Sequence, residues 1–314
     1  MMRQNKIKKH KQSGMALIMV LLVVALVGII GAGIASKQSL STRRTQNLLN
    51  SEQGYMYLLG AEDWAKTILV QDAKDNKTDS LDDSWAATLP PIPVEGGTIQ
   101  GTIEDLQGRF NINNILKASN PDQNNIIIFK NLLTEHDIDD GLVDALVDWL
   151  DEDLDSTVPN GAEDGIYLSN VTPSRTANRL MASATELTLV KGFDYKKYNE
   201  ISEYIVALPE ATTININTAN AMQLSMLSNQ VSLSEAEDII KNREKSGFKT
   251  VDEFLALNSV KGKTISKEVL SVTSNYFLLK ARSVIGSLKS ELYSVLYRDS
   301  KGEVKVLLRS QRRI

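Results

Sequence analysis

Lys11-Gln12-Ser13-Gly14-Met15-Ala16-Leu17-Ile18-Met19-Val20 (KQSGMALIMV) joins a basic leader to a long apolar run. Residues 1–14 hold Arg3, Lys6, Lys8, Lys9 and Lys11 and no acid, whereas residues 15–35 carry no charge. As a helix, that uncharged run spans about 31 Å, close to the ~30 Å hydrocarbon core of a bilayer. A secretory signal has a shorter apolar core of about 7–15 residues before its cleavage site. Gly33-Ile34-Ala35 would end too long a core, so residues 15–35 read as a transmembrane helix. The basic end suits the cytoplasmic face of a membrane.

The helical pattern does not stop at Ala35. Leu48, Leu49, Tyr55, Leu58, Leu59, Ala61, Ala65, Ile68 and Leu69 recur at three- and four-residue steps, one face of an amphipathic helix. No proline occurs before Pro90. A single stem helix over 13–71 is expected, about 85 Å long, with Gly28, Gly31 and Gly33 as points of local weakness.

A short basic leader, then an apolar span running into an amphipathic stem, resembles the type IV pilin family. The leader ends Ser13-Gly14, and the resemblance implies that prepilin peptidase cuts after Gly14 and that Met15 becomes the N-methylated terminus. An uncleaved signal anchor is the plainer alternative. The fifth mature residue is a glutamate in most pilins and pairs with a neighbouring subunit's terminal amine. Here it is Met19, which implies a subunit needing no such pairing, such as the first at a filament tip.

Composition bounds the rest. The 314 residues are 42% hydrophobic and 24% charged, with no cysteine, which excludes disulfides, thiolate metal sites and a cysteine nucleophile. The formal charge of −4 hides an asymmetry: beyond the leader, 30 basic face 39 acidic residues, a charge of −9. Such a body disfavours binding to a phosphate backbone. His10 lies in the leader, so His136 is the one histidine of the mature chain. The usual acid–base and nucleophilic arrangements have few parts, and a non-enzyme is expected.

Residues 72–97 read as a connection punctuated by Pro90-Pro91-Ile92-Pro93 and Gly96-Gly97. Residues 98–105 alternate like a strand, and Gln107-Gly108 turns into Arg109-Phe110-Asn111-Ile112. Three further strands, 276–285, 288–298 and 303–309, predict an antiparallel meander. A long helix on such a sheet is an α+β, pilin-like arrangement. The expected organisation is a leader (1–14), a stem (15–71), first strands (72–113), a mostly helical insertion (114–272) and final strands (273–314).

The insertion contains a faint repeat. Phe110-Asn111-Ile112-Asn113-Asn114 matches Ile214-Asn215-Ile216-Asn217-Thr218, and each copy later reaches a helix start of capping-box form, at 183–187 and 250–254. The second copy, residues 216–255, resembles a helix-hairpin-helix (SAM-like) element. Its hairpin reads Ser228-Asn229-Gln230-Val231, without the glycine that turns amides toward a phosphate. Glu235, Glu237 and Asp238 surround it, so a scaffold that has lost the phosphate site is expected. A membrane-anchored DNA-binding or DNA-uptake protein is the alternative function.

The first copy holds an acidic stretch, Asp148-Trp149-Leu150-Asp151-Glu152-Asp153-Leu154-Asp155, then Gly161-Ala162-Glu163-Asp164-Gly165-Ile166-Tyr167. Carboxylates after a helix C-terminus oppose its dipole, and a hard cation such as Ca²⁺ would answer them. The loop is no EF-hand, having Ser156 for the glycine and Ala162 for the closing glutamate. A solvated acidic loop is the plain alternative, but Trp149, Pro159-Asn160-Gly161 and Tyr167 favour an ordered one.

Together, LQGRFNINN (106–114), LVDWLDED (146–153) with GAEDGIYL (161–168), MASATELTLVKGF (181–193) and TININTA (213–219) resemble the K-type minor pseudopilins of the type II secretion system, nearly end to end. The resemblance implies a subunit that caps the tip of the periplasmic pseudopilus and helps start its assembly for export of folded proteins. It implies an inner-membrane anchor with a periplasmic body, direct I- and J-type partners, and H-type and major pseudopilins beyond them. It strengthens calcium at the acidic loop, with Asp151, Asp153, Asp155, Glu163 and Asp164 as candidate ligands.

Overall fold

The computed structural model describes residues 13–88, 90–243 and 247–312; residues 1–12 of the expected leader lie outside them. The stem is one unbroken helix, α1 (Ser13–Asp75), about 95 Å long. Gly28, Gly31 and Gly33, the points of local weakness, do not interrupt it. The helix also runs past residue 71. Gln71 donates to Asp75 (2.9 Å), and Asn76 donates to the Asp72 side chain (2.8 Å) and backbone (2.8 Å), which closes the last turn.

Beyond the stem, β1 (Ile92–Val94) and β2 (Gly97–Asp105) form a hairpin. The chain then leaves through β3 (Phe110–Asn111), β4 (Leu116–Lys117), β5 (Asn120–Pro121), α2 (Gln123–Glu135), α3 (Leu142–Leu150), α4 (Asp164–Tyr167), α5 (Tyr195–Ile201) and β6 (Ile205–Val206). It continues through β7 (Ile214–Asn215), α6 (Ala221–Ser225), α7 (Leu233–Arg243), α8 (Val251–Leu255) and β8 (Leu270–Ser271), and returns as β9 (Tyr276–Ile285), β10 (Leu288–Arg298) and β11 (Val304–Ser310). The sheet has the order β1-β2-β9-β10-β11, antiparallel throughout.

Strand β1 lies inside the stretch read as a connection. Its prolines removed it from the sequence reading, yet an edge strand tolerates proline because its outer N–H groups need no partner. Gly96 (φ 82°) closes the hairpin, and Gly97 passes so close to the sheet that a Cβ there would lie 1.7 Å from the Val284 carbonyl oxygen.

The stem buries Leu58, Glu62, Ala65 and Leu69, at helical spacing, against β9 and β10. With Trp85, Phe277, Leu279, Ala281, Leu292 and Leu296 they form the core under the sheet. Each large apolar side chain buried this way contributes about 1.5–3 kcal/mol. Glu62 is held there because Arg309 donates to both its oxygens (2.8 and 2.7 Å) and Ser294 Oγ donates at 2.6 Å. Leu40, Leu48, Leu49 and Met56 stay exposed, so the rest of the apolar stripe is uncovered within one chain.

The insertion is built twice on one plan. In each copy the first asparagine opens a parallel bridge, Asn111 with β6 and Asn215 with β8. Its side chain accepts from the N–H two residues on (Asn113 at 3.2 Å, Asn217 at 3.0 Å). The second asparagine then grips a distant backbone from both sides. Asn113 donates to the Met181 carbonyl and accepts from its N–H, both 2.9 Å; Asn217 does the same at Phe248, 2.9 and 2.8 Å. Each gripped residue lies two before the N-cap of the short helix of its copy, Ser183 and Thr250. The glutamates there, Glu186 and Glu253, accept from Ala182 and Lys249, one residue before the cap. They are therefore shifted capping boxes, whereas Asn220–Gln223 at α6 and Ser232–Glu235 at α7 make both reciprocal bonds.

Where the insertion departs matters for function. The β9–β10 turn at Gly286 lies against Asn50 of the stem. Asp105 and Ser274, where the chain leaves and rejoins the sheet, sit at the stem's other end. There Arg298 donates to Asp72 (3.0 Å), to Asp79 and to the Ser274 carbonyl (2.9 Å). Asn215 donates to the Asp79 carbonyl (3.1 Å), Asp105 (3.0 Å) and Ser274 (2.9 Å). The helical insertion is thus mounted at the end of the sheet farthest from the apolar half of the stem.

Candidate metal centre

Helix α3 is apolar on the side facing α2, and Val143, Leu146, Val147, Trp149 and Leu150 are buried. It ends where Asp151 turns to an extended conformation (ψ 170°). The following loop folds back onto the helix through Asp148, which is fully buried and accepts from Thr157 N (3.0 Å) and Ser156 Oγ (3.2 Å). A Cβ on Gly161 would lie 2.2 Å from that carboxylate, so the return is closely packed. Trp149 meets Tyr167 edge-on at 5.3 Å, and the Tyr167 hydroxyl accepts from Lys191 N at 2.9 Å. The loop is ordered by its own residues.

This folding brings together Asp151, Asp153 and Glu163, which each offer a carboxylate oxygen within 4.8 Å of the others. Asp151 and Glu163 are each only 7% exposed, and Asp151 Oδ1 and Glu163 Oε1 are buried with no hydrogen-bond partner. No Lys or Arg forms an ion pair with any of the three among the described residues. Burial, then the charges of Asp153, Asp148 and Glu163, push the Asp151 carboxyl up to about 7. Burial and then Asp148 raise Glu163 as well. Three converging carboxylates with orphaned buried oxygens and no nitrogen or sulfur donor fit a hard, oxygen-preferring cation.

Two of the five candidate ligands lie outside this cluster. Asp155 donates its N–H to Asp153 (2.8 Å), and its carboxylate is exposed. Asp164 accepts from Thr176 N and Oγ1 (both 3.0 Å) and lies 3.6 Å from Arg175, so it is already compensated. Met15 and Met19 are exposed on the stem, 66% and 60%, and a Cβ on Gly14 would meet only open space.

A second carboxylate group, Asp72, Asp79 and Asp83, shows by contrast what a compensated cluster looks like. Its oxygens are taken by Arg298, Asn76, Ser274 N and Ser80 N. Even so, burial outweighs Arg298 at Asp79 and pushes it up to about 6. Sequence reasoning missed this hub because Arg298 is more than two hundred residues from its partners. At the hairpin between α6 and α7, Gln230 accepts from Thr264 N (2.9 Å). Glu235 accepts from Ser232 N and Oγ (both 2.9 Å), so an acid takes the donors at the start of α7 that a phosphate would need.

A stem helix long and apolar enough to cross a membrane, laid across an antiparallel meander with a head inserted between its second and third sequential main strands, defines a pilin-like subunit. Family models described as type II secretion system protein K match residues 108–210 and 214–273, one over each copy of the repeat. The chain belongs to that family. It is 32% identical to the type II secretion system protein K of Pseudomonas aeruginosa, covering 96% of this chain and 93% of that one. It is also 32% identical to the Aeromonas hydrophila protein of the same description, covering 96% and 97%. The crystal structure of the GspK-GspI-GspJ complex from the enterotoxigenic Escherichia coli type 2 secretion system contains a similar chain. The TM-score is 0.75 at 26% identity, covering 86% of this chain and all of that one. A minor pseudopilin role in type II secretion, as a structural component of the machine, follows.

Proposed function

We propose that the chain caps the tip of the pseudopilus and helps start its assembly, anchored by α1 in the inner membrane with its body in the periplasm. The observation that carries this reading is the place of the insertion, at the end of the sheet farthest from the apolar half of the stem. A head there leaves the lower stem free for neighbours and obstructs a subunit above. Met19 supports the same position, because it lacks the carboxylate that would pair with a neighbouring subunit's terminal amine. The exposed Leu40, Leu48, Leu49 and Met56 are the stripe that neighbouring stems would cover. I- and J-type pseudopilins are the expected direct partners, in keeping with the complex named for the similar crystal structure.

Asp151, Asp153 and Glu163 would hold Ca²⁺, which supplies the positive charge that the acidic loop lacks and rigidifies the head. The processing reading is tested by the intact mass of protein extracted from membranes. Cleavage after Gly14 with a methyl group on Met15 is expected; an uncut terminus overturns it. Tip position is tested by labelling a single cysteine introduced at exposed Tyr195, in a chain that otherwise has none. Label along the filament length, rather than at one end, overturns the cap.

A further inference from the structure

Asn178 lies in none of the motifs that mark the acidic loop, yet it is fastened to that loop at two points. Its N–H donates to the Trp149 carbonyl (3.1 Å) and its Nδ2 donates to the Asp153 carbonyl (3.2 Å). Its backbone is held at φ 45°, a conformation that asparagine tolerates better than most residues. Its Oδ1 is buried with no partner. The orientation of the amide is not arbitrary: exchanging oxygen and nitrogen would set one acceptor against the Asp153 carbonyl. The lobe therefore holds three orphaned buried acceptor oxygens, on Asp151, Glu163 and Asn178.

We propose that Asn178 Oδ1 is a neutral fourth ligand of the cation, so that the ion ties segment 175–181 to the end of α3 and to Glu163. This rests on the cation reading above and extends it to a residue outside the acidic stretch. An amide carbonyl is an ordinary ligand for a hard cation. Thr176 already joins the same segment to Glu163 (3.3 Å) and Asp164 (3.0 Å). Three residues beyond Asn178, the backbone of Met181 is gripped by Asn113, which also donates to the Leu208 carbonyl (2.8 Å). The ion would thus fasten the outer lobe to the same strap that fixes the first repeat.

The test is calorimetric titration of Ca²⁺ into the full chain in detergent, comparing wild type with Asn178→Gly, Asn178→Asp and Asp153→Ala. Glycine and aspartate both accept the positive φ, so neither strains the backbone. Glycine removes the oxygen; aspartate keeps an oxygen but loses the Nδ2 donor. Asn178→Gly is expected to weaken binding about tenfold or more, the effect typical of losing a supporting group at a metal site, while Asn178→Asp retains it. Equal weakening in both variants would assign Asn178 only its bond to Asp153 and overturn the ligand role. Unchanged binding in Asn178→Gly, with loss in Asp153→Ala, also overturns it while leaving the site standing. No binding by wild type would overturn the cation reading itself.

Discussion

Replacing Arg298 by methionine tests how the head is joined to the stem. Arg298 is 7% exposed, and its guanidinium donates to Asp72, Asp79 and the Leu69 and Ser274 carbonyls and lies 4.9 Å from the Phe277 ring centre. Methionine preserves much of the apolar volume, so the main effect is electrostatic. Removing one member of a buried ion pair costs about 3–5 kcal/mol because the other charge is stranded. Here two carboxylates are stranded, with Asp105 buried nearby and likewise raised by burial. A loss at the upper end of that range corresponds to a fall in Tm of about 10–15 °C at about 2–3 °C per kcal/mol. The sign with pH follows from the acids. A carboxyl whose folded pKa is raised above its ordinary 3.8, as Asp79 is even beside Arg298, favours folding at low pH and loses that contribution as pH rises to about 6. Stranding it raises it further, so the deficit of Arg298→Met should shrink at about pH 5 and be full at about pH 8. The assay is thermal unfolding of the full chain in detergent, followed in the near-ultraviolet circular dichroism of Trp85, which packs edge-on against Phe277 at 5.3 Å. Adding Asp79→Asn to Arg298→Met should recover part of the loss, a coupling read by the double-mutant cycle. A loss below about 1 kcal/mol, or one equal at both pH values, would refute the reasoning.

Other outcomes follow from single contacts. Chelation should lower the Tm of the full chain and Ca²⁺ should restore it, and Asp153→Ala should remove the response; an unchanged melt leaves the loop as plain surface. Burial acts to raise Glu62, but the hydrogen bonds from Arg309 and Ser294 overcome it and hold the carboxyl below its ordinary 4.5. Its stabilisation is therefore complete above pH 4.5 and lost as pH falls through the folded value, and acid unfolding of Glu62→Gln should be correspondingly flatter. Asn217→Ala leaves both backbone groups of Phe248 unpaired and should cost about 1–3 kcal/mol for each, measured by urea unfolding. Met19→Glu should be tolerated better in membrane integration than Leu22→Glu, which puts a charge deeper in the apolar run; equal loss of membrane-bound protein would count against the processed-terminus reading.

Much of the fold was legible because it rests on local periodicity. The uncharged run, the three- and four-residue spacing through Leu69 and the absence of proline defined α1 to within four residues of its end. The alternation over β9 and β10 fixed both strands, since half-buried strands must present opposite faces to core and solvent. Strand β1 escaped because its prolines suit only an edge, and being an edge is a property of the sheet. The two Asn-Ile-Asn copies were visible as letters, but their shared task of gripping a backbone dozens of residues away was not.

The candidate site divides in the same way. The sequence by itself determined that negative charge crowds the end of α3 without a nearby base, because that depends only on residue type and order. Tertiary structure alone decided which carboxylates converge. Asp151, Asp153 and Glu163 meet because Asp148 draws the loop back onto its helix, whereas Asp155 turns to solvent and Asp164 is taken by Thr176. It also decided which acids already have a counter-ion: Arg298 reaches Asp72 and Asp79 across more than two hundred residues, and nothing local in the sequence encodes that meeting. Position along the chain records charge; only the folded path determines whether a charge is answered.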